Sequence, residues 1–177
     1  MPPEALQNAS FTRCFRTNYD DIHAYLARRV DPQLADDLTA EVFARAWNAW
    51  HNAPEPARPW LFGIARHLVA DRYRAQNQED ELHARLDNER TNTQDEVGGV
   101  ETALDVRAAW AQLPGRDREV LALIAWDGLT VSEAAAALHL PRPAFSMRLT
   151  RARRRLKHLL EQGEPAPMIP SLERSPR

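Results

Sequence analysis

Gly128-Leu129-Thr130-Val131-Ser132-Glu133-Ala134-Ala135-Ala136-Ala137-Leu138-His139-Leu140-Pro141-Arg142-Pro143-Ala144-Phe145-Ser146-Met147-Arg148-Leu149-Thr150-Arg151-Ala152-Arg153-Arg154-Arg155-Leu156 decides the fold. It reads as a short capped helix, a tight turn and a second helix loaded with arginine. Thr130 and Glu133 have the T-x-x-E spacing of a capping box, in which each residue's side chain satisfies the other's backbone amide. Behind that cap Val131, Ala134, Ala135 and Leu138 recur at helical spacing and form one apolar face. Pro141 and Pro143 are expected to stop this helix, since proline cannot donate and pushes the preceding residue out of the helical region. Beyond them Phe145, Leu149, Ala152, Leu156 and Leu159 alternate steps of four and three, so they share a face that needs burial. Arg148, Arg151, Arg154 and Arg155 fall largely on the remaining surface. From Pro141 to Leu160 there are seven Lys/Arg and no Asp/Glu, so no carboxylate is interleaved for pairing along the helix. A solvated basic face is the plainer reading of a charge run. The capped helix and tight turn before it favour a helix-turn-helix whose second helix enters the major groove of duplex DNA.

The rest of the composition narrows the possibilities. A chain of 177 residues can hold one domain or two small ones, and 44% apolar residues is ordinary for a folded soluble protein. No stretch approaches the ~20 apolar residues of a membrane span, so no membrane insertion is expected. Met1-Pro2-Pro3-Glu4 lacks the basic-then-apolar pattern of a signal peptide. The single cysteine, Cys14, excludes an internal disulfide and any Cys-based zinc site and fits a reducing, cytoplasmic setting. It reads as a small apolar side chain near Phe11 and Phe15. The six histidines show no metal-ligand spacing. No phosphate-cradling glycine loop, carboxylate cluster or nucleophile with a base can be assembled, so no catalytic residue, metal or cofactor is expected.

A net charge of −2 conceals an uneven distribution. Residues 1–76 carry nine Lys/Arg against nine Asp/Glu, residues 77–101 two against eight, and residues 102–162 ten against six. The expected architecture is therefore all-α. Two small helical domains, residues 8–76 and 102–162, flank a flexible acidic linker at 77–101, and a disordered Pro-rich tail follows at 163–177. In the first block, Phe11, Phe15, Ile22, Tyr25 and Leu26 anchor a helix to Arg29, with a possible break near Asn18. Asp31-Pro32 restarts a helix in which Leu34, Leu38, Val42, Ala46 and Trp50 recur, with Asp36, Asp37 and Glu41 on an acidic edge. His51 to Pro59 is a loop on its proline content, and a third helix is expected from Trp60 to Arg74. Aromatic residues beside arginines near that loop suit the stacking of unpaired bases, although residues such as Trp47, Trp50 and Trp60 are more often part of a core than base platforms.

These residues also carry a family resemblance. Asp36-Asp37-Leu38-Thr39-Ala40-Glu41-Val42-Phe43-Ala44-Arg45-Ala46-Trp47 resembles the D-L-x-Q-E-x-F-x-x-x-W run of bacterial sigma factors. Pro59 to Arg74 resembles their W-L-x-x-I-A-R-N-x-x-x-D-x-x-R helix, and Leu113-Pro114-Gly115-Arg116-Asp117-Arg118-Glu119-Val120-Leu121 their L-P-x-x-x-R-E-V-L segment. The helix-turn-helix follows at the family's distance. With two domains only, the chain is similar to the extracytoplasmic-function (ECF, group IV) sigma factors.

The resemblance implies a promoter-specificity role without enzymatic chemistry. Asp36, Asp37, Leu38, Glu41, Val42 and Phe43 would dock on bacterial core RNA polymerase. His51, Asn52, Arg58, Trp60, Arg66, His67, Arg72 and Arg74 would engage the −10 element, including a flipped base of the non-template single strand. Thr130, Arg142, Ser146, Arg148, Arg151, Arg154 and Arg155 would grip the −35 element as duplex DNA. The resemblance, with the linker, also implies sequestration by an anti-sigma factor. His67 stands where the family usually has asparagine, Ala40 where it has glutamine, and Leu140 to Phe145 where it tends to have I-S-E-G-T-V. Sequence preference is therefore not carried over. A stand-alone helix-turn-helix regulator would explain residues 113–160 but leaves the Asp36–Trp47 and Trp60–Arg74 motifs unused.

Overall fold

The computed structural model describes residues 3–84 and 101–163, and every regular element within them is helical. In chain order these are α1 (Pro3–Ala27), α2 (Pro32–Asn48), a 3₁₀ turn (Trp50–Asn52), α3 (Arg58–Ala84), α4 (Glu101–Gln112), α5 (Gly115–Ala125), α6 (Val131–Ala137) and α7 (Arg142–Gly163). The expected all-α class and the helix-turn-helix at its C-terminal side are both observed. The tail from 164 onward and residues 85–100 of the expected linker lie outside the described residues.

In the first unit, α1 to α3 pack around Ile22, Tyr25, Leu26, Val42, Leu61 and Phe62, all essentially inaccessible to solvent. The Tyr25 and Phe62 rings meet edge to face, their centroids 5.3 Å apart. Asp31 caps α2 by accepting from the Leu34 amide at 3.0 Å, and Pro32 occupies the first turn, where its missing amide is harmless. α1 runs through Asn18 without interruption. The buried Asn18 amide donates to the Cys14 carbonyl at 2.8 Å, one turn back, so the polar side chain is satisfied inside the helix. Cys14 sits beside it, half-buried, and burial pushes its thiol up from the ordinary value against the opposing effect of Asn18.

α3 is longer than its apolar stripe predicts. It starts at Arg58 and continues to Ala84, taking in residues 77–84 that the charge pattern places in the linker. Gln78, Glu79, Glu81, Leu82 and Ala84 are good helix formers and the stretch holds no glycine or proline, so its sequence contains no stop.

The second unit closes around Val120, Leu123, Ala134, Phe145, Leu149 and Ala152. These include the first three residues of the α7 apolar stripe, while Leu156 and Leu159 lie partly buried against the same core. The two units are not apart. α6 lies across α3, and their buried apolar residues form one continuous cluster.

Candidate nucleic-acid interface

The helix-turn-helix is built by two opposite caps. At the start of α6 the Glu133 amide donates to the Thr130 hydroxyl at 3.2 Å, while the Glu133 carboxylate accepts from the Thr130 amide and hydroxyl, each at 2.8 Å. This is the capping box read from the sequence. Partial burial alone would push the Glu133 carboxyl up. The Thr130 donors and the nearby Arg58 guanidinium overcome that and hold it below the ordinary carboxylate value.

The end of α6 has a different cause from the one expected. The helix stops at Ala137, ahead of both prolines. The Leu140 amide donates to the Ala135 carbonyl at 2.9 Å and the His139 amide to the Ala136 carbonyl at 3.0 Å, with His139 in the left-handed region at φ 52°. That is a Schellman cap with histidine in the usual glycine position. Pro143 ends nothing: it lies in the first turn of α7, where proline's fixed φ suits a helix start.

From that entry α7 presents its cations. Arg142, Arg151 and Arg154 are exposed, while Arg148 and Ser146 are half-buried. Ser146 offers its carbonyl to the Thr150 hydroxyl at 3.0 Å. Two expected contacts are already engaged. Thr130 is committed to the cap, and Arg155 pairs with Asp117 of α5, a largely buried carboxylate. Arg155 therefore ties α7 to α5 within the second unit, and of the arginines expected at the groove Arg142, Arg148, Arg151 and Arg154 pair with no carboxylate among the described residues.

The second set of expected DNA residues lies on the 3₁₀ turn and α3. His51 and Asn52 are exposed and hydrogen-bonded to each other at 2.7 Å. Trp50 anchors that turn by donating to the Ser10 hydroxyl at 2.9 Å, and its ring lies 6.4 Å from that of Trp60. Arg72 and Arg74 are exposed further along α3, Arg74 paired with Asp71, and His67 is exposed one turn before them. Arg58 and Arg66, in contrast, are only partly exposed. Arg58 donates to Asp21 at 2.9 and 3.1 Å, to the Asp127 carbonyl at 3.2 Å and to Glu133 at 3.5 Å. Arg66 donates through Nε to Glu119 at 2.6 Å.

The third surface is the edge of α2. Asp36, Asp37 and Glu41 are exposed, Asp36 accepting from His23 at 2.9 Å and Glu41 from Arg45 at 2.6 Å. Leu38, Val42 and Phe43 point inward, with at most 6% of their surface exposed. They set the position of that edge rather than forming its surface. The apolar part of the exposed face comes from elsewhere: Phe15, Tyr19 and Trp47 are each more than a third exposed, Phe15 lying edge-on to Phe43 at 4.7 Å. Phe11 joins this patch through an edge contact with Trp47 at 4.9 Å.

Sequence reasoning passed over Asp127, Arg28 and Arg29. The Asp127 side chain is completely buried and accepts from both arginines of the first unit, from Arg29 at 3.0 Å. The Arg29 guanidinium also stacks 3.6 Å above the Tyr25 ring, and burial pushes the Tyr25 hydroxyl up to about 12, so it stays neutral at physiological pH. The Asp-Gly pair at 127–128 reads locally as a turn, and nothing local connects it to arginines nearly a hundred residues away.

Two linked helical units, one carrying a helix-turn-helix and the other an acidic edge beside an aromatic and arginine-bearing helix, define a transcription factor of the promoter-recognising kind. Sigma-70 region 2 matches residues 14–79 and Sigma-70 region 4 matches residues 103–156. The "Probable RNA polymerase sigma-C factor" of Mycobacterium bovis is 33% identical over 153 residues, covering 85% of this chain and 81% of its own. "ECF RNA polymerase sigma factor SigM" of Bacillus subtilis is 31% identical over 150 residues, covering 81% and 91%. The chain belongs to the sigma-70 family, in its extracytoplasmic-function group. Among solved structures, the sigma factor RpoE in complex with the anti-sigma factor NepR from Bartonella quintana shares the fold at TM-score 0.63 and 22% identity, covering 86% of this chain and 97% of that one. CnrH in complex with the cytosolic domain of CnrY aligns at TM-score 0.60 and 25% identity, covering 89% and 91%.

Proposed function

We propose that this chain is a promoter-specificity subunit of bacterial RNA polymerase. The observation that carries the reading is the ordered presence of both sigma regions in one chain, the second ending in a properly capped helix-turn-helix with a basic outer face. Asp36, Asp37 and Glu41, flanked by the exposed aromatics Phe15, Tyr19 and Trp47, form an acidic and apolar surface suited to a basic coiled coil of the core enzyme. Charge would steer the encounter and burial would hold it. Arg142, Arg148, Arg151 and Arg154 enter the major groove of the −35 element. Arginine there reads guanine bidentately or holds phosphate.

At the −10 element, the loop from His51 to Pro59 and the α3 residues Trp60, Arg66, His67, Arg72 and Arg74 take the non-template strand. Capture of unpaired bases on aromatic rings contributes roughly 1–3 kcal/mol per base, which offsets the cost of opening the duplex without nucleotide hydrolysis by the factor itself. The factor therefore acts by binding rather than by catalysis, in the cytoplasm where polymerase and nucleoid are. Among the described residues no helix is long and apolar enough to cross a membrane. An anti-sigma factor is the natural regulator, a reading supported by RpoE from Bartonella quintana, which has the same fold and is solved with the anti-sigma factor NepR.

Run-off transcription tests the reading. Purified core polymerase with this chain should initiate at a cognate promoter found by mapping transcript starts after overexpression. Core polymerase that gains no promoter-specific initiation from the chain overturns it.

A further inference from the structure

The second helix of the helix-turn-helix, α7, sorts its side chains by direction. Phe145, Leu149 and Ala152 are buried, and they fix the side of the helix that faces the core. Met147 stands two residues from both Phe145 and Leu149, about 200° round the helix from each at 3.6 residues per turn. It therefore points away from the core, and among the described residues it takes no part in the apolar cluster. With 58% of its surface accessible, it is the most exposed large apolar side chain among those residues. One exposed methionine is ordinary on a protein surface. The neighbours of Met147 make it informative: Pro143, Thr150, Arg151 and Arg154 are all exposed and share its side of the helix.

α7 begins at Arg142, so Met147 falls in its second turn. A helix docked in a major groove about 12 Å wide presents its N-terminal turns to the base edges. Met147 thus occupies the middle of the surface that meets the bases, with Arg151 and Arg154 beside it for phosphate or guanine. Its thioether has no hydrogen to donate and accepts only weakly. The Thr150 hydroxyl, one turn along, donates to the Ser146 carbonyl at 3.0 Å, so its proton is engaged within the helix. The centre of this surface therefore offers apolar contact, and its flanks offer charge. Polar base edges pressed against that centre lose water without gaining a partner. The C5-methyl group of thymine gains from the same burial.

We propose that Met147 is a specificity-determining residue that reads a thymine methyl group in the −35 element. The inference rests on the promoter reading above and deepens it, by assigning a base to a side chain that carries no charge. Contacts to phosphate hold α7 on any duplex, whereas the Met147 contact discriminates among sequences.

A duplex pool randomised across the −35 element tests this, selected with the full-length chain alone and with the chain on core polymerase. Parent, Met147→Ala and Met147→Leu are compared, each checked for helicity by circular dichroism. The parent should fix a thymine at one position. Replacing that thymine with deoxyuridine removes only the methyl group and should weaken binding roughly fourfold, the worth of one buried methyl. Met147→Ala should lose both the thymine preference and the deoxyuridine effect, whereas Met147→Leu keeps them. That pattern is a coupling between one side chain and one methyl group. A parent indifferent to deoxyuridine at every selected thymine overturns the inference. So does a Met147→Ala variant that keeps the parent's deoxyuridine effect, or that weakens binding to all sequences alike. Loss of helicity in Met147→Ala overturns it too, since the side chain would then support the fold. Run-off transcription from the selected sequence separates the two proposals. A methyl effect that depends on Met147, without initiation, sinks the promoter role and leaves the readout. Initiation with deoxyuridine tolerated sinks the readout alone. If neither the chain nor its complex selects any sequence, both fall.

Discussion

Gly128 joins α5 to the N-cap of α6 with φ at 62°, and no atom lies within 4 Å of a Cβ built there. A substitution therefore meets only the backbone penalty of the left-handed region. Gly128→Ala is expected to lower stability by about 1–2 kcal/mol, read as a shift in urea midpoint at unchanged m-value. His139 adopts the same region, at φ 52°, without glycine's freedom. His139→Gly relieves that strain but loosens the unfolded chain, so the two effects nearly cancel, to within about 1 kcal/mol. His139→Val adds a β-branched side chain where the left-handed region is least tolerant, and should cost more than about 1 kcal/mol. A midpoint for the valine variant at or above that of the parent would show that the Schellman turn does not constrain this residue.

At the scale of elements, α6 has only seven residues, too few to persist without its caps. Thr130→Ala removes the capping box and should cost about 1 kcal/mol in a thermal or chemical melt. Glu133 adds a pH dependence. Its folded carboxyl lies below the ordinary value of 4.5, so its contribution is fully present at neutral pH and is lost as the pH falls through the acid range below that value. Glu133→Gln should therefore narrow the stability difference between pH 7 and pH 3, and an unchanged difference would contradict the pairing. The N-cap was legible because its two residues lie three apart and their chemistry is specific. The C-cap was hidden: His139 gives no sign of a left-handed residue, and two nearby prolines offered a plausible but incorrect stop. The continuity of α1 was equally hidden, since whether Asn18 breaks a helix depends on its reaching the Cys14 carbonyl. α3 was underestimated for a third reason: its apolar stripe ends before residues 77–84, yet that stretch holds no glycine or proline to stop a helix.

The whole molecule depends on contacts that span 53 to 99 positions along the chain, from Arg66–Glu119 to Arg28–Asp127. No local pattern encodes such pairs, so the two units and their charge balance were legible and their mutual arrangement was not. That arrangement leaves separate surfaces for separate partners. Asp37→Arg with Glu41→Arg inverts the exposed α2 edge and, among the described residues, sacrifices one solvent-exposed pair, Glu41–Arg45, worth roughly a few tenths of a kcal/mol. Co-purification with core polymerase should be abolished at unchanged melting temperature, and retained association would remove this edge from docking. For DNA, the α7 arginines divide by their partners. Arg155 is bound to Asp117, so Arg155→Ala leaves a largely buried carboxylate unpaired and should lower stability before it lowers affinity. Among the described residues, no carboxylate pairs with Arg148 or Arg151. If both neutralise phosphate, each releases close to one counterion, and Arg148→Ala with Arg151→Ala should reduce the slope of log K against log salt by roughly 2. The measurement is a −35 duplex titrated across a salt series. A slope equal to that of the parent, with weaker binding at every salt concentration, would place these two side chains on base edges rather than on the backbone.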